Sequence, residues 1–411
     1  MKFGKHTLLI DGNYFVYSRL FVLPKPKAGE ALVGTEDGKA QFMRKLAIDF
    51  ASEMRKLSGI VDEVVVAVDS KSWRKDLYPA EEYKGTRTQD SSVDWEGVYS
   101  VYKEFTDLLA TFGVKIQKTN GAEADDIIYS WTSELINRGK SSIIWTGDRD
   151  LVQLVDYTDA ADCHVLWYDS ARKRLYAYEG FVQNLSYRDS EHMSADDLMF
   201  NMASHIIGGS DAIKQNIASW IDSNKISVDE INCDEYMMAK LLVGDKSDNI
   251  QAVVTWQKTI KGGKIRNFAL TDQHAYRVVE QYKKEAGKFH IEDMFVSQCV
   301  DNIVDIVYRV VGMGNKPAIK SRLSTNMSLM LLHNNTIPEG IQKACSDQCI
   351  ALLDKNEVTL FETLSDFKKM LKDTDYVKEI VPKSFDPFAA LNVSNTETKR
   401  PGEDTKTTQL F

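Results

Sequence analysis

Ser142-Ile143-Ile144-Trp145-Thr146-Gly147-Asp148-Arg149-Asp150 sets a short apolar run directly before a glycine turn that carries two carboxylates. Such a run reads as a buried strand that ends in acids. The arrangement has two upstream counterparts: Thr7-Leu8-Leu9-Ile10 ends at Asp11, and Glu63-Val64-Val65-Val66-Ala67-Val68 ends at Asp69. Between these runs, apolar residues at helical spacing predict helices over 40–57 (Phe42, Leu46, Phe50, Met54, Leu57), 95–112 and 125–138, the last stopped by Gly139. His164-Val165-Leu166-Trp167 predicts one more strand. Strands alternating with helices imply an α/β fold with a parallel sheet flanked by helices. In such a sheet the carboxyl ends of the strands form the ligand crevice. One Asp after a strand is an ordinary turn or cap residue. Three strands delivering carboxylates to one edge need another cause.

The chain has 411 residues, with 51 Lys and Arg against 60 Asp and Glu, a formal charge of −9. Hydrophobic residues make up 43%, enough for large cores and too many for a wholly disordered chain. No apolar run approaches the roughly 20 residues of a membrane helix, and the start is too brief for a signal-peptide core. A soluble, non-exported protein is the expectation. Five scattered cysteines, Cys163, Cys233, Cys299, Cys345 and Cys349, argue for a reducing compartment. Cys345 and Cys349 read as buried thiols on one helix face, since no second Cys or His pair completes a zinc site.

Beyond about residue 190 the pattern becomes mostly helical with few strands, with helices predicted over 237–243, 273–285, 301–311 and 339–353 and a basic, glycine-bearing stretch over 258–266. From about residue 384 the chain is polar and cannot bury a core. Three regions are expected: 1–190, 191–383 (with 170–235 an insertion), and a tail at 384–411 that finishes in Gln409-Leu410-Phe411.

Gly121-Ala122-Glu123-Ala124-Asp125-Asp126 adds three acids at a helix start. Acids favour the dipole there, but three together repel unless cations compensate. Asp125 and Asp126 point about 100° apart on a helix and could serve two adjacent cation sites. Asp245 and Asp248, in the turn Gly244-Asp245-Lys246-Ser247-Asp248-Asn249, bring the acids to nine with Asp11, Asp69, Glu123, Asp125, Asp126, Asp148 and Asp150. Setting those nine aside leaves the remaining charges balanced. Oxygen ligands without His or Cys select Mg²⁺ or Mn²⁺, and two such ions are the apparatus of phosphodiester hydrolysis. Tyr83-Lys84-Gly85-Thr86-Arg87, after the second strand, is the expected phosphate clamp.

These motifs resemble, in order, those of the phage and bacterial 5′ nucleases, the flap endonuclease superfamily with its PIN-like core. The elements are Leu9-Ile10-Asp11-Gly12, Val68-Asp69, Glu82-Tyr83-Lys84-Gly85-Thr86-Arg87, Gly121 to Asp126, Thr146 to Asp150 and Gly244 to Ile250. The last is most similar to the T-even phage ribonuclease H branch. The resemblance implies a nuclease that uses two Mg²⁺ ions (or Mn²⁺) to cut DNA or RNA–DNA hybrids at a 5′ end or flap during replication and repair. It places Asp11, Asp69, Glu123 and Asp125 at one metal, and Asp126, Asp148, Asp150 and Asp248 at the second, with Asp245 acting through water. Lys84 and Arg87 would be the catalytic cations at the base of a helical arch over about 84–106. The 245–249 turn would open a helix–turn–helix element on the duplex.

Family members often follow that turn with a Gly-Ile-Gly hairpin that binds a monovalent cation and duplex phosphate. Here Gln251-Ala252-Val253-Val254-Thr255-Trp256 follows instead, so Lys246, Lys258, Lys261, Lys264 and Arg266 are the expected nucleic-acid contacts. The ending Gln409-Leu410-Phe411 is similar to peptides that hook a sliding clamp; a single-strand-binding protein is the other expected partner. A monomer in a phage-infected host cytoplasm completes the expectation. The alternatives are a PIN-type endoribonuclease and a catalytically silent clamp-associated DNA-binding protein.

Overall fold

The computed structural model describes residues 4–77, 83–85, 89–185, 210–261, 264–355 and 360. Strand β1 (His6–Asp11) is buried along its whole length and lies at the middle of the sheet. On one side it pairs in parallel with β2 (Val61–Ala67), which pairs with β3 (Lys115–Gln117). On the other it pairs in parallel with β4 (Ser142–Trp145). From there the sheet runs through β6 (Cys163–Asp169) to β7 (Arg174–Ala177) and β8 (Ser227–Glu230), with β5 (Asp156–Thr158) antiparallel to β6. The chain therefore winds outward in both directions from the β1–β4 pair, which is the switch point where open α/β sheets bind ligands.

Alternation along the strands sorts the two cores. Leu8, Ile10, Val64, Val66, Ile143 and Trp145 meet one layer of helices: α1 (Gly12–Leu20), α2 (Glu36–Leu57), α4 (Trp95–Thr111) and α7 (Ser210–Asn224). Leu9, Val65 and Ile144 point the other way, onto α5 (Ala124–Asn137) and α12 (Glu339–Leu353). Of two shorter helices, α3 (Arg74–Leu77) follows β2, and α6 (Phe181–Leu185) packs Phe181 into the first core. A third core joins α8 (Cys233–Val243), α9 (Asp272–Ala286), α10 (Ser297–Val311) and α11 (Lys316–Met330).

Four expectations need correction. The 84–106 arch does not hold beyond residue 94, because α4 buries Val98, Val101, Tyr102, Phe105 and Leu109 in the first core. The 1–190 boundary fails as well. Ile213, Ile217 and Trp220 of α7 pack on the first layer and β8 extends the sheet, because an amphipathic helix needs an apolar surface to cover it. Lys258 and Arg266 lie on a β-hairpin, β9 (Thr255–Thr259) with β10 (Ile265–Ala269), in a region expected to be mostly helical. The helix–turn–helix expected at 245–249 is not one, since the turn leads into extended residues and then β9. Arg87 and Gln409, Leu410 and Phe411 lie outside the described residues, as do the polar tail and Gly262 and Gly263.

At the end of the sheet away from the acids, His6 and His164 are both buried, with their Nε2 atoms 2.7 Å apart. His6 Nδ1 lies 3.2 Å from the Ile60 carbonyl, which fixes it as the donor. His164 Nε2–H must then donate to His6 Nε2. Cys345 and Cys349 are buried free thiols on α12, as their spacing indicates. Among the described residues no helix is long and apolar enough to cross a membrane.

Candidate active site

A cavity of about 860 Å³ opens at the switch point. Asp11, Asp69, Glu123, Asp125, Asp148 and Asp245 line it, together with Lys84, Arg149, Arg172 and Lys240. Six of the nine expected acids thus meet in one place, although they come from five separate stretches of chain.

Local geometry fixes each one. Asp11 is the last residue of β1 and the N-cap of α1; its carboxylate accepts from the Tyr14 amide at 3.0 Å and the Thr146 hydroxyl at 2.9 Å. Asp69 accepts from the Ala124 amide at 2.6 Å and from Asn13 at 2.5 Å, which ties the end of β2 to the start of α5. Asp148 caps a single 3₁₀ turn by accepting the Asp150 amide at 2.9 Å. Asp245 accepts from the Ser247 amide at 2.7 Å and hydroxyl at 2.5 Å. That turn follows Gly244, whose φ is +73°; a Cβ there would meet the Ile250 carbonyl at 2.4 Å, so only glycine fits.

The electrostatics divide the acids into two groups. Burial, then the charges of Asp69 and Asp148, push Asp11 up to about 7. Burial, then Asp148 and Asp11, push Asp125 well above the carboxylate range, and burial raises Asp69 too. Glu123 goes the other way: burial would raise it, but Lys84 and Arg74 outweigh that and hold it at about 2. Lys84 Nζ lies 2.5 Å from Glu123 Oε1 and 3.7 Å from Asp248, and the Lys84 amide donates to the Asp248 carbonyl at 2.9 Å. Tyr83 donates its hydroxyl to Glu123 at 2.9 Å. One side of the cavity therefore holds an acid kept ionised by Lys84 and Arg74, and the other holds Asp11 and Asp125, raised by burial and by neighbouring carboxylates.

Three expected ligands do not line the cavity. Asp126 is turned into the protein, where Arg74 and the Trp73 indole hold both of its oxygens. The wide angle between neighbouring helix positions separates it from Asp125 but sends it to an arginine. Asp150 pairs with Lys240, which also lies 3.3 Å from Asp245. Asp248 is buried beside Lys84. Among the described residues no group of three His, Cys, Asp or Glu side chains already stands close enough to hold an ion. The lining acids are oxygen donors spread around one wall, with no His or Cys, which suits hard divalent cations over zinc.

Residues with no recognisable motif also contribute. Lys240, Arg149, Arg172, Asn13 and Tyr14 line the cavity, and Arg74 anchors its floor. A second missed feature lies at Gly312-Met313-Gly314-Asn315-Lys316. Gly312 (φ +70°) ends α10, Gly314 has φ +89°, and the Asn315 side chain caps α11 by accepting from the Ala318 amide at 2.8 Å. This helix–turn–helix borders a second cavity, about 360 Å³, shared with 251–255. Gly314 and Asn315 thus border residues 251–255 in space, although an intervening stretch separates them in sequence. Two glycines closely spaced between amphipathic helices were the available signal.

A parallel sheet collects carboxylates at its switch point, with one buried lysine among them, an arrangement suited to gathering divalent cations. Residues 6–186 match the family model described as 5′-3′ exonuclease, N-terminal resolvase-like domain. It is 29% identical over 157 residues to DNA polymerase I of Rhizobium leguminosarum, covering 38% of this chain and 15% of that polymerase. A 5′-3′ exonuclease of Buchnera aphidicola is 27% identical over 149 residues, 36% of this chain and 48% of its own length. The chain thus spans less than half of these relatives. The fold is shared with the bacteriophage T5 flap endonuclease, solved as a pseudo-enzyme–product complex with DNA and metal ions. That likeness has a TM-score of 0.50 and 15% identity, over 85% of this chain and 100% of that one.

Proposed function

We propose that the whole chain is a structure-specific 5′ to 3′ nuclease that hydrolyses phosphodiesters at 5′ ends or flaps of DNA and RNA–DNA hybrid. The carrying observation is the wall of Asp11 and Asp125, where burial and neighbouring carboxylates push both acids above the ordinary range, so that a bound divalent cation would take the place of the protons they hold. Asp11, Asp69, Glu123, Asp125, Asp148 and Asp245 would hold two Mg²⁺ or Mn²⁺ ions, with Asp126, Asp150 and Asp248 behind them. When bound, such ions supply Lewis-acid charge and a nucleophilic water at neutral pH. Lys84, aimed by Glu123 and Asp248, sets its ammonium where a scissile phosphate develops charge. Arg87 is assigned to the same clamp. Lys246 and the Gly312–Lys316 hairpin are assigned to the duplex backbone, where helix starts and exposed amides suit phosphate. Tethering by Gln409, Leu410 and Phe411 to a sliding clamp, in the host cytoplasm, would raise the local concentration at primer junctions.

The test is cleavage of 5′-labelled flap, nicked and RNA-primed duplexes with and without Mg²⁺. Mg²⁺-dependent release of 5′ products is expected. Asp148→Asn should reduce the rate by roughly three orders of magnitude, several kcal/mol of barrier, while duplex binding survives. Full activity in that variant, or cutting without divalent ions, would overturn the assignment.

A further inference from the structure

The β9–β10 ribbon interrupts the path from Ile250 to the glycine hairpin and contributes nothing to the cavity wall. Its register sets Trp256 opposite Phe268 and Lys258 opposite Arg266. Side chains alternate along a strand, so these four share one face. The Trp256 and Phe268 rings stack with centroids 6.0 Å apart, and the Arg266 guanidinium lies 5.6 Å from the Phe268 ring. Trp256 also packs against the helical core and roots the ribbon there. Beyond that root the ribbon stands in solvent, with Ile265 68% exposed near the tip.

From 255 to 269 the sequence holds four cations, Lys258, Lys261, Lys264 and Arg266, and no acid, within a chain of net charge −9. Like charges directly opposite on paired strands destabilise a ribbon. Such a pair is favourable where an anion lies across it. The feet of the ribbon give its position. Thr255 lines the second cavity beside Gly314 and Asn315, and Asp272, just after β10, lines the first. The ribbon therefore rises between the cleavage cavity and the glycine hairpin.

We propose that the aromatic-rooted face of β9–β10 is a nucleic-acid contact of its own, laying Lys258 and Arg266 on phosphates of the duplex next to the cavity. The proposal rests on the nuclease reading and adds a positioning surface to it. An aromatic base stiffens the ribbon, and the cations above it bind backbone without reading sequence.

The test uses the full chain in EDTA, with dissociation constants for a flap-bearing duplex measured by anisotropy over a NaCl series. Each phosphate contact contributes a slope of about −0.9 in log affinity against log salt. Lys258→Ala with Arg266→Ala should flatten the slope by roughly 1.8, while Lys258→Arg with Arg266→Lys should keep it. If the alanine pair fails to fold, Lys264→Ala probes the same face, with an expected flattening of about 0.9. Unchanged slopes overturn the ribbon contact, and so does a loss seen only with single strands. Mg²⁺-dependent cutting of that flap by the unaltered chain is scored alongside. Its absence overturns the nuclease reading, which separates the two failures.

Discussion

Arg74 grips Asp126 with both ends of its guanidinium, Nη1 at 3.1 Å from one oxygen and Nη2 at 2.9 Å from the other. The same Nη1 reaches Glu123 at 2.9 Å, and Nε donates to the Leu329 carbonyl at 3.0 Å. All three side chains are buried, so this arginine links the cavity floor to the helical region.

Breaking a buried pair leaves an uncompensated charge, at a cost of about 3–5 kcal/mol. Arg74→Met should lower stability by about that much in urea unfolding.

Lys84 should separate chemistry from binding. Its ammonium is held among Glu123 and Asp248 and kept charged: burial opposes the charge, but Glu123, with Asp248 beside it, outweighs that. Lys84→Ala should cut kcat by about a hundredfold, the usual loss for one positioned donor, with KM much less affected. Single-turnover kinetics on a 5′ flap would check the split.

Asp11 gives a pH dependence. Burial first, then Asp69 and Asp148, place its folded value at about 7, above the ordinary 3.8. A raised carboxyl binds its proton more tightly when folded, so its contribution is complete below the unfolded value and lost as pH rises through about 7. In EDTA, the fall in melting temperature from pH 5 to pH 8 should be smaller in Asp11→Asn than in the unaltered chain. Mg²⁺ competes with that proton and should stabilise more at pH 8 than at pH 5.

The His6–His164 pair runs the opposite way. Burial holds His6 at about 4, and burial with His6 nearby holds His164 well below its usual range. The unfolded imidazoles take protons first, so stability is full above about 6.5 and is lost as pH falls toward 4. His6→Gln should flatten this limb in melts at fixed Mg²⁺.

Much of the site was legible because strand ends declare themselves locally. Asp11, Asp69 and Asp148 follow apolar runs, and parallel pairing of those runs brings them together without further information. Asp126 shows the limit of that reasoning. Helix geometry separated it from Asp125, yet only a partner from elsewhere in the chain, Arg74, decides that it faces inward. Lys240 reads as one cation on a helix, and its pairing with Asp150 depends on how α8 crosses the 3₁₀ turn. The ribbon was missed because its alternation is short and broken by glycines. The Gly312–Gly314 turn was missed because an intervening stretch separates it from Ile250, although the two are neighbours in space.

Helix α12 has a consequence for how the molecule comes apart. It leaves the C-terminal helices and returns to lie on α5, where Gln117 donates to the Cys345 carbonyl at 3.0 Å and Thr119 to Gln348 at 2.8 Å. The sheet is thereby roofed by residues made long after it. Synthesis cut short before Glu339 would leave Ile127, Trp131 and Leu135 without their cover, so the sheet should reach its finished packing only once α12 has emerged.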